Sequence, residues 1–432
     1  MKNRKALALI AILALVAAAC GGSDGGSDEA VVEVETTEAP ATTEAPTTTA
    51  APAPASDPLI LASLMPLSGD LASLGPGIAL GAALAVEQIN AAGGINGQPV
   101  QLIEGDSGCD GAVALTSLND VIAQGAQGVM GAACSGTSLA ILDTAIAAEV
   151  VMVSPSNTSP QFTKIDKKGF YARTAPSDLL QGDVLASLLV EDGVQTVSII
   201  SRADSYGRGL AEATAAAFEA AGGTVKTIVY HATDASEFTS EVTAVGKGGA
   251  DAIVGILFPE TGCGVLQPAF EQGLLDTPWY MTDGVKDAGL ASLCGLGTAL
   301  DGFKGTAPGS AAGEAKDAFE AAYAEVSADG SPTFIFAPQA YDAVMLMAIS
   351  AAANGVTGPE IASGLVAASS GGEKCIGVAC IALAADGVDV DYVGASGEIE
   401  LNEAGDPTAA TYDIWTTEGD VNPVLKSVDF GS

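Results

Sequence analysis

Residues 128–160, GVMGAACSGTSLAILDTAIAAEVVMVSPSNTSP, constrain the fold most: they read as two buried strands, each running straight into a turn of small hydroxyl residues. The first turn, Cys134-Ser135-Gly136-Thr137-Ser138, is followed by Leu139, Leu142 and Ile146 at helical spacing. Its backbone N–H groups therefore lie at a helix N-terminus, where an anion is readily held. The second turn, Ser154-Pro155-Ser156-Asn157-Thr158, follows an apolar run ending at Val153. If the two strands are parallel neighbours, both turns lie at one carboxyl edge of a sheet, the edge at which open α/β sheets bind ligands. The plainer alternative is that these residues only make turns and a helix cap.

The surrounding chain repeats the strand-then-helix alternation. Strands are predicted at 59–65 and 100–104, with a helix running to Ala92, closed by Gly93-Gly94, and another through Ile122. A second series has strands at 197–200, 225–230, 252–258 and 279–282, with helices between them. Two βα series of similar length imply two similar lobes, each with its own sheet. Beyond Thr306 the pattern turns mostly helical (311–327, 339–353, 359–368), with a late strand pair near 398–401 and 411–415.

Charge narrows the partners. With 53 acidic against 16 basic residues the formal charge is −37, which repels nucleic acid and anionic lipid surfaces. The acidity reads as a solvated surface suited to solubility or high salt. At 432 residues, 48% hydrophobic, the chain is long enough for two or three well-filled domains.

Residues 1–19 have a basic start (Lys2, Arg4, Lys5) and an apolar run too short for a membrane span, then Cys20. That is an export signal. The ending Val16-Ala17-Ala18-Ala19-Cys20 before Gly21-Gly22 resembles a bacterial lipobox, with cleavage before Cys20 and lipid on its sulfur; the alternative is a secreted protein cut after Ala-x-Ala. Residues 20–57, rich in Thr, Pro, Ala and acid, form a tether that buries no core. The G-x-S-x-G at Gly21, Ser23 and Gly25 lies in that tether, where no nucleophile elbow is built.

MPLSGDLASLG, GAALAVEQINAAGGINGQPV, the two hydroxyl turns, RTAPSD, SYGRGL and GASGEIELNEAGDP occur in order along the chain. Together they resemble the leucine/isoleucine/valine-binding proteins of bacterial ABC importers, from about residue 58 to the end. The resemblance implies a type I periplasmic-binding fold: an α/β, two-lobed clamshell whose chain crosses between lobes three times. The crossings are expected near Ala175, Ala307 and Asp406, giving lobe 1 at 58–175 and 308–406 and lobe 2 at 176–307 and 407–432.

Six cysteines remain after Cys20 in an exported chain, where disulfides are favoured. Cys109 and Cys134 match the bridge that holds the family's ligand turn. Cys375 and Cys380 are close enough to pair locally, which leaves Cys263 with Cys294. No C-x-x-C occurs, and the one His, His231, is read as an exposed strand end; metal sites and Ser-His-Asp or Cys-His catalysis are disfavoured. Gly75-Pro76-Gly77 lacks the third glycine of a dinucleotide fingerprint, and no phosphate loop is present.

By the same resemblance the family's carboxylate-binding hydroxyls fall on Ser135 and Thr158, and Ser156 binds through its backbone. Tyr206 closes from the second lobe, and Phe258 stands where the family has Tyr. Asp283, one carbon shorter than the family's Glu, pairs with the ligand's ammonium, while Leu74 lines the side-chain pocket. Such a set holds a zwitterion: an anion at hydroxyls and helix-start N–H groups, a cation at a carboxylate, apolar walls between.

The expectation is an extracytoplasmic lipoprotein without cofactor or catalysis, monomeric, anchored by its lipid to the outer face of the cytoplasmic membrane. It would pass a small ligand, foremost an amino acid, to an ABC permease and its ATPase. The alternatives are a clamshell sensor, disfavoured because the chain shows no second membrane span before Ser432, and a binder of an amide, urea or aromatic acid.

Overall fold

A computed structural model describes residues 57–430. The export signal, Cys20 and nearly all of the tether lie outside the described residues.

The first half is a five-stranded, wholly parallel sheet of order β2-β1-β3-β4-β5. Its elements are β1 (Ile60–Met65), α1 (Gly75–Ala91), β2 (Gln101–Asp106), α2 (Gly111–Ala123), β3 (Gly128–Gly131), α3 (Ser135–Ala147), β4 (Val151–Ser154), the single turn α4 (Gln161–Lys164) and β5 (Tyr171–Arg173). β3 and β4 pair in parallel, Val129 against Met152, so the two hydroxyl turns do share one edge. Local chemistry fixes these elements. Asp110 caps α2 by accepting from the N–H groups of Ala112 and Val113. Asn90 bonds both backbone groups of Val100, at 2.9 and 2.7 Å, and so fastens the end of α1 to the start of β2. Gly75 admits the first turn of α1, since a Cβ there would fall 1.8 Å from the Pro66 carbonyl oxygen.

The second half contains α5 (Asp178–Glu191), β6 (Thr196–Arg202), α6 (Ser205–Ala220), β7 (Thr224–His231), α7 (Thr239–Gly246), β8 (Ala252–Ile256), α8 (Pro259–Glu271), β9 (Trp279–Met281), α9 (Leu290–Leu293) and β10 (Lys304–Pro308). The chain then adds α10 (Glu314–Val326), α11 (Ala337–Asn354), α12 (Gly358–Gly364), β11 (Glu373–Ile376), α13 (Ala379–Ala385), β12 (Val390–Gly394) and β13 (Gly397–Glu398). Of these, α11 is buried along nearly its whole length and packs on α1, β3 and β4, completing the first half. The chain returns to the second sheet with β14 (Ala410–Thr416) and β15 (Val424–Phe430). That sheet has the order β15-β14-β10-β9-β8-β6-β7, parallel except at β14 and β15. The central strands of both sheets are buried on both faces, as helices on either side require.

Two readings are corrected. The late strands do not pair with each other: β13 lies beside β12 in a separate three-stranded sheet, whereas β14 sits between β10 and β15. The turn at 402–406 intervenes, and β13 and β14 stay close to one another without sharing a ladder. His231 is not exposed; it is fully buried, its ring 4.6 Å from that of Phe238 and its Nδ1 2.9 Å from the Ala232 carbonyl oxygen. Burial lowers its pKa, so the imidazole is a neutral core group.

Candidate ligand-binding cleft

The first turn presents a bare helix start. Cys134 occupies the N-cap of α3 and makes no side-chain cap bond, so the leading N–H groups of α3 keep their donor capacity. The bridge between Cys134 and Cys109, with Cα atoms 5.4 Å apart, ties this turn to the loop after β2. The other bridges join Cys263 to Cys294 and Cys375 to Cys380.

The second turn is stitched to the first through two carbonyl oxygens. Ala132 O accepts from the hydroxyls of Ser154 (2.8 Å) and Ser138 (3.2 Å) and from Asn157 Nδ2 (3.0 Å). Ala133 O accepts from Ser156 Oγ at 3.1 Å and Asn157 Nδ2 at 2.8 Å. Arg173 sets the far end of this turn by donating from Nη1 to the carbonyls of Asn157 and Ser159.

Across the cleft, Asp283 follows β9 and is 4% exposed. It accepts at Oδ1 from Gln181 Nε2 (2.7 Å) and from the Tyr206 hydroxyl (3.0 Å). Burial raises its pKa to about 6, against the lowering effect of those two hydrogen bonds. No ion pair with Lys or Arg reaches it among the described residues. Phe258 stacks on Tyr206 with ring centroids 5.3 Å apart.

Ser135, Ser156, Tyr206, Phe258, Asp283 and Leu74 are brought together around one cavity, with Leu71, Ile78 and Phe336 supplying further apolar wall. The cavity measures about 20 Å³, room for little more than one water molecule, so anything larger enters only when the halves part. Thr158 is not on that wall. It is fully buried, its hydroxyl beside the carboxylate of Asp178.

Asp178 was missed in the sequence because it follows the Ser177 cap and reads as an ordinary first-turn acid. Its carboxylate is fully buried, and burial followed by the nearby Asp283 charge raises its pKa well above the ordinary value, against the lowering effect of the Thr158 hydroxyl. Leu71, Ile78 and Phe336 carry no chemical signal in sequence; only the fold places them. A larger cavity of about 340 Å³, lined in part by Glu314, Ile376, Val393 and Phe430, lies away from these groups. No metal-competent cluster occurs among the described residues, and no helix among them is long and apolar enough to cross a membrane.

Two sheet-based halves, with helix starts and hydroxyls on one side of a closed cleft and a buried carboxylate on the other, define the type I periplasmic solute-binding fold. The chain belongs to the periplasmic binding protein family, whose sequence profile matches residues 58–374. That family is one of solute-binding proteins, not of enzymes. The chain is 34% identical over 238 residues to an amino acid binding protein of Pseudomonas aeruginosa, covering 53% of this chain and 62% of the relative. It is 29% identical over 304 residues to a leucine-, isoleucine-, valine-, threonine- and alanine-binding protein of the same organism, covering 68% of this chain and 78% of the relative. Its fold resembles the crystal structure of a leucine binding protein from Thermotoga maritima, with TM-score 0.73 and 21% identity over 86% of this chain and 98% of the other.

Proposed function

We propose that this chain is the substrate-binding component of an ABC importer and captures a free α-amino acid with an apolar or small polar side chain. The observation that carries the reading is Asp283, buried, without a Lys or Arg partner among the described residues, and sharing one cavity with the bare helix start at Ser135. A zwitterion satisfies both ends: its carboxylate at Ser135 and Thr158 with the Ser156 backbone, its ammonium at Asp283 and Tyr206, its side chain against Leu74 and Phe258. The amino acid binding named for one Pseudomonas relative, and the leucine, isoleucine, valine, threonine and alanine named for the other, support this ligand class.

The lobes in this reading are 58–175 with 308–406 and 176–307 with 407–432, hinged at the crossings near residues 175, 307 and 406. Opposite charges of one small molecule bridge them, so the closed state gains contacts that the open state lacks, and the ligand drives closure. The protein acts as a monomer delivering to a permease and its ATPase, and is held at the membrane by lipid on Cys20. Native mass spectrometry of the purified protein, before and after partial unfolding and dialysis, tests the ligand class: a displaced free amino acid supports it, and an aromatic acid or amide overturns it. Membrane partition of the parent but not of Cys20→Ser tests the anchor.

A further inference from the structure

The loop at residues 66–74, between β1 and α1, is held at its base by Asp106, which accepts from the N–H groups of Leu67 (2.9 Å), Ser68 (3.2 Å) and Gly108 (2.8 Å). Its tip reaches the other half. Asp70 Oδ2 accepts from Arg202 Nη2 at 2.7 Å, and the Leu71 N–H donates to Glu260 Oε2 at 3.0 Å. Arg202 has only 3% of its side chain exposed and keeps two partners on its own half, Asp204 at 2.8 Å and the Thr261 hydroxyl at 3.2 Å. Its guanidinium lies 3.8 Å from the centroid of the Phe258 ring, which walls the cavity and stacks on Tyr206.

We infer that Asp70, Arg202 and Glu260 form a releasable latch that sets the balance between closed and open forms and thereby the dissociation rate of the ligand. The inference rests on the reading of the cleft as a clamshell binding site. The argument is one of differential contacts. When the halves separate, Arg202 retains Asp204 and Thr261, so no buried cation is stranded; of the bonds this cluster makes, only those of Asp70 and Leu71 are lost, and Asp70, a quarter exposed already, is readily hydrated. Releasing the latch is therefore inexpensive, while every closed molecule gains both of its bonds. Arg202 acts as a positioning residue. Its contact with Phe258 couples the lid to the wall of the cavity, and Leu71 and Leu74 on the same loop reach that wall from the other side. A ligand's apparent affinity then scales with the fraction of protein that closes.

Hydrogen exchange on the ligand-free full-length protein tests this without assuming any ligand. The Ile335 N–H, which donates at 2.9 Å across the halves to Asp287, reports separation at a second contact outside the loop. Asp70→Asn combined with Glu260→Gln is expected to speed exchange both in residues 66–74 and at Ile335, roughly three- to tenfold. Raising salt from about 0.05 to 0.5 M is expected to speed Ile335 in the parent and not in the variant. Acceleration confined to the loop, or an Ile335 rate unmoved by either change, overturns the latch; if the variant fails to fold, the salt series on the parent decides alone. With an amino acid bound, the variant should release it faster by the same factor. Should the latch open as expected while no amino acid binds, the ligand reading fails and the latch stands.

Discussion

Arg173 and Asp406, 233 residues apart in the chain, form an ion pair at 2.8 Å whose side chains are 0% and 7% exposed. The pair joins the end of β5 to the turn before β14, where the chain passes between halves. The remaining guanidinium donors hold Asn157, Ser159 and Thr163, so the same residue that pins the crossing also shapes the second hydroxyl turn.

Removing Asp406 strands a buried cation. Asp406→Ala should therefore cost about 3 to 5 kcal/mol of unfolding free energy, read by chemical denaturation, and Asp406→Asn less, since an amide oxygen still accepts from Nε. Equal stability of parent and Asp406→Ala would show that the pair carries no structural role.

If Asp283 takes the ligand's ammonium as proposed, binding depends on pH. Its folded pKa is raised from 3.8 to about 6. In the ligand-free protein the folded state holds the proton more tightly than the unfolded state, so this residue's contribution falls as pH rises from about 4 to about 6 and is flat above; the integrated loss is on the order of 3 kcal/mol. Ligand binding runs the other way, because an ammonium pairs with the ionised carboxylate. Affinity should fall up to about tenfold per pH unit below 6 and level off above it. Calorimetric titrations between pH 4.5 and 8, on the parent and Asp283→Asn, check both signs; the variant should lose the slope.

The Cys109–Cys134 bridge closes a loop across 25 residues of sequence separation, worth about 3.5 kcal/mol on the chain-entropy estimate. Replacing both cysteines by Ser should lower the melting temperature yet leave the protein folded, and should weaken ligand affinity more than about tenfold, because the bridge anchors the helix start at Ser135. Unchanged affinity would assign the bridge to stability alone.

How much of this was legible in sequence follows from what each residue must do locally. The Ser135 turn announces itself because strand, small-residue turn and helix follow one another within a dozen residues, and the parallel pairing of β3 and β4 puts both turns where that pattern implies. Longer strands with apolar runs, β6 and β8, were legible for the same reason. Short strands such as β5 and β10, and the edge strand β15 with its exposed, charged pattern, offer too little periodicity to stand out. The late strands belong to different sheets: β13 turns back on β12 and β14 on β15, and only the pairing of β14 with the distant β10 is hidden from local sequence. His231 looked exposed because nothing near it in sequence shows that Phe238 folds over it. Tertiary packing alone puts Phe336 on the cavity wall and Asp178 within reach of the Asp283 charge: one looks like any core aromatic, the other like a capping acid. Thr158, matched as a ligand hydroxyl by the resemblance, is fully buried and outside the lining of the closed cavity, a depth that residue type alone does not encode.

The central claim is that a zwitterion bridges the cleft between Ser135 and Asp283. Isothermal titration of the common amino acids into the parent, Asp283→Ala and Glu320→Ala measures it most directly; Glu320 lies on α10, paired with Lys316 at 3.6 Å and outside the cavity wall. At least one amino acid should bind the parent and Glu320→Ala alike, well below millimolar. Asp283→Ala should bind it thirty-fold to several thousand-fold more weakly, the equivalent of about 2 to 5 kcal/mol for a buried charge left without its partner. No submillimolar binding of any amino acid to the parent, or equal binding by Asp283→Ala, would contradict the account.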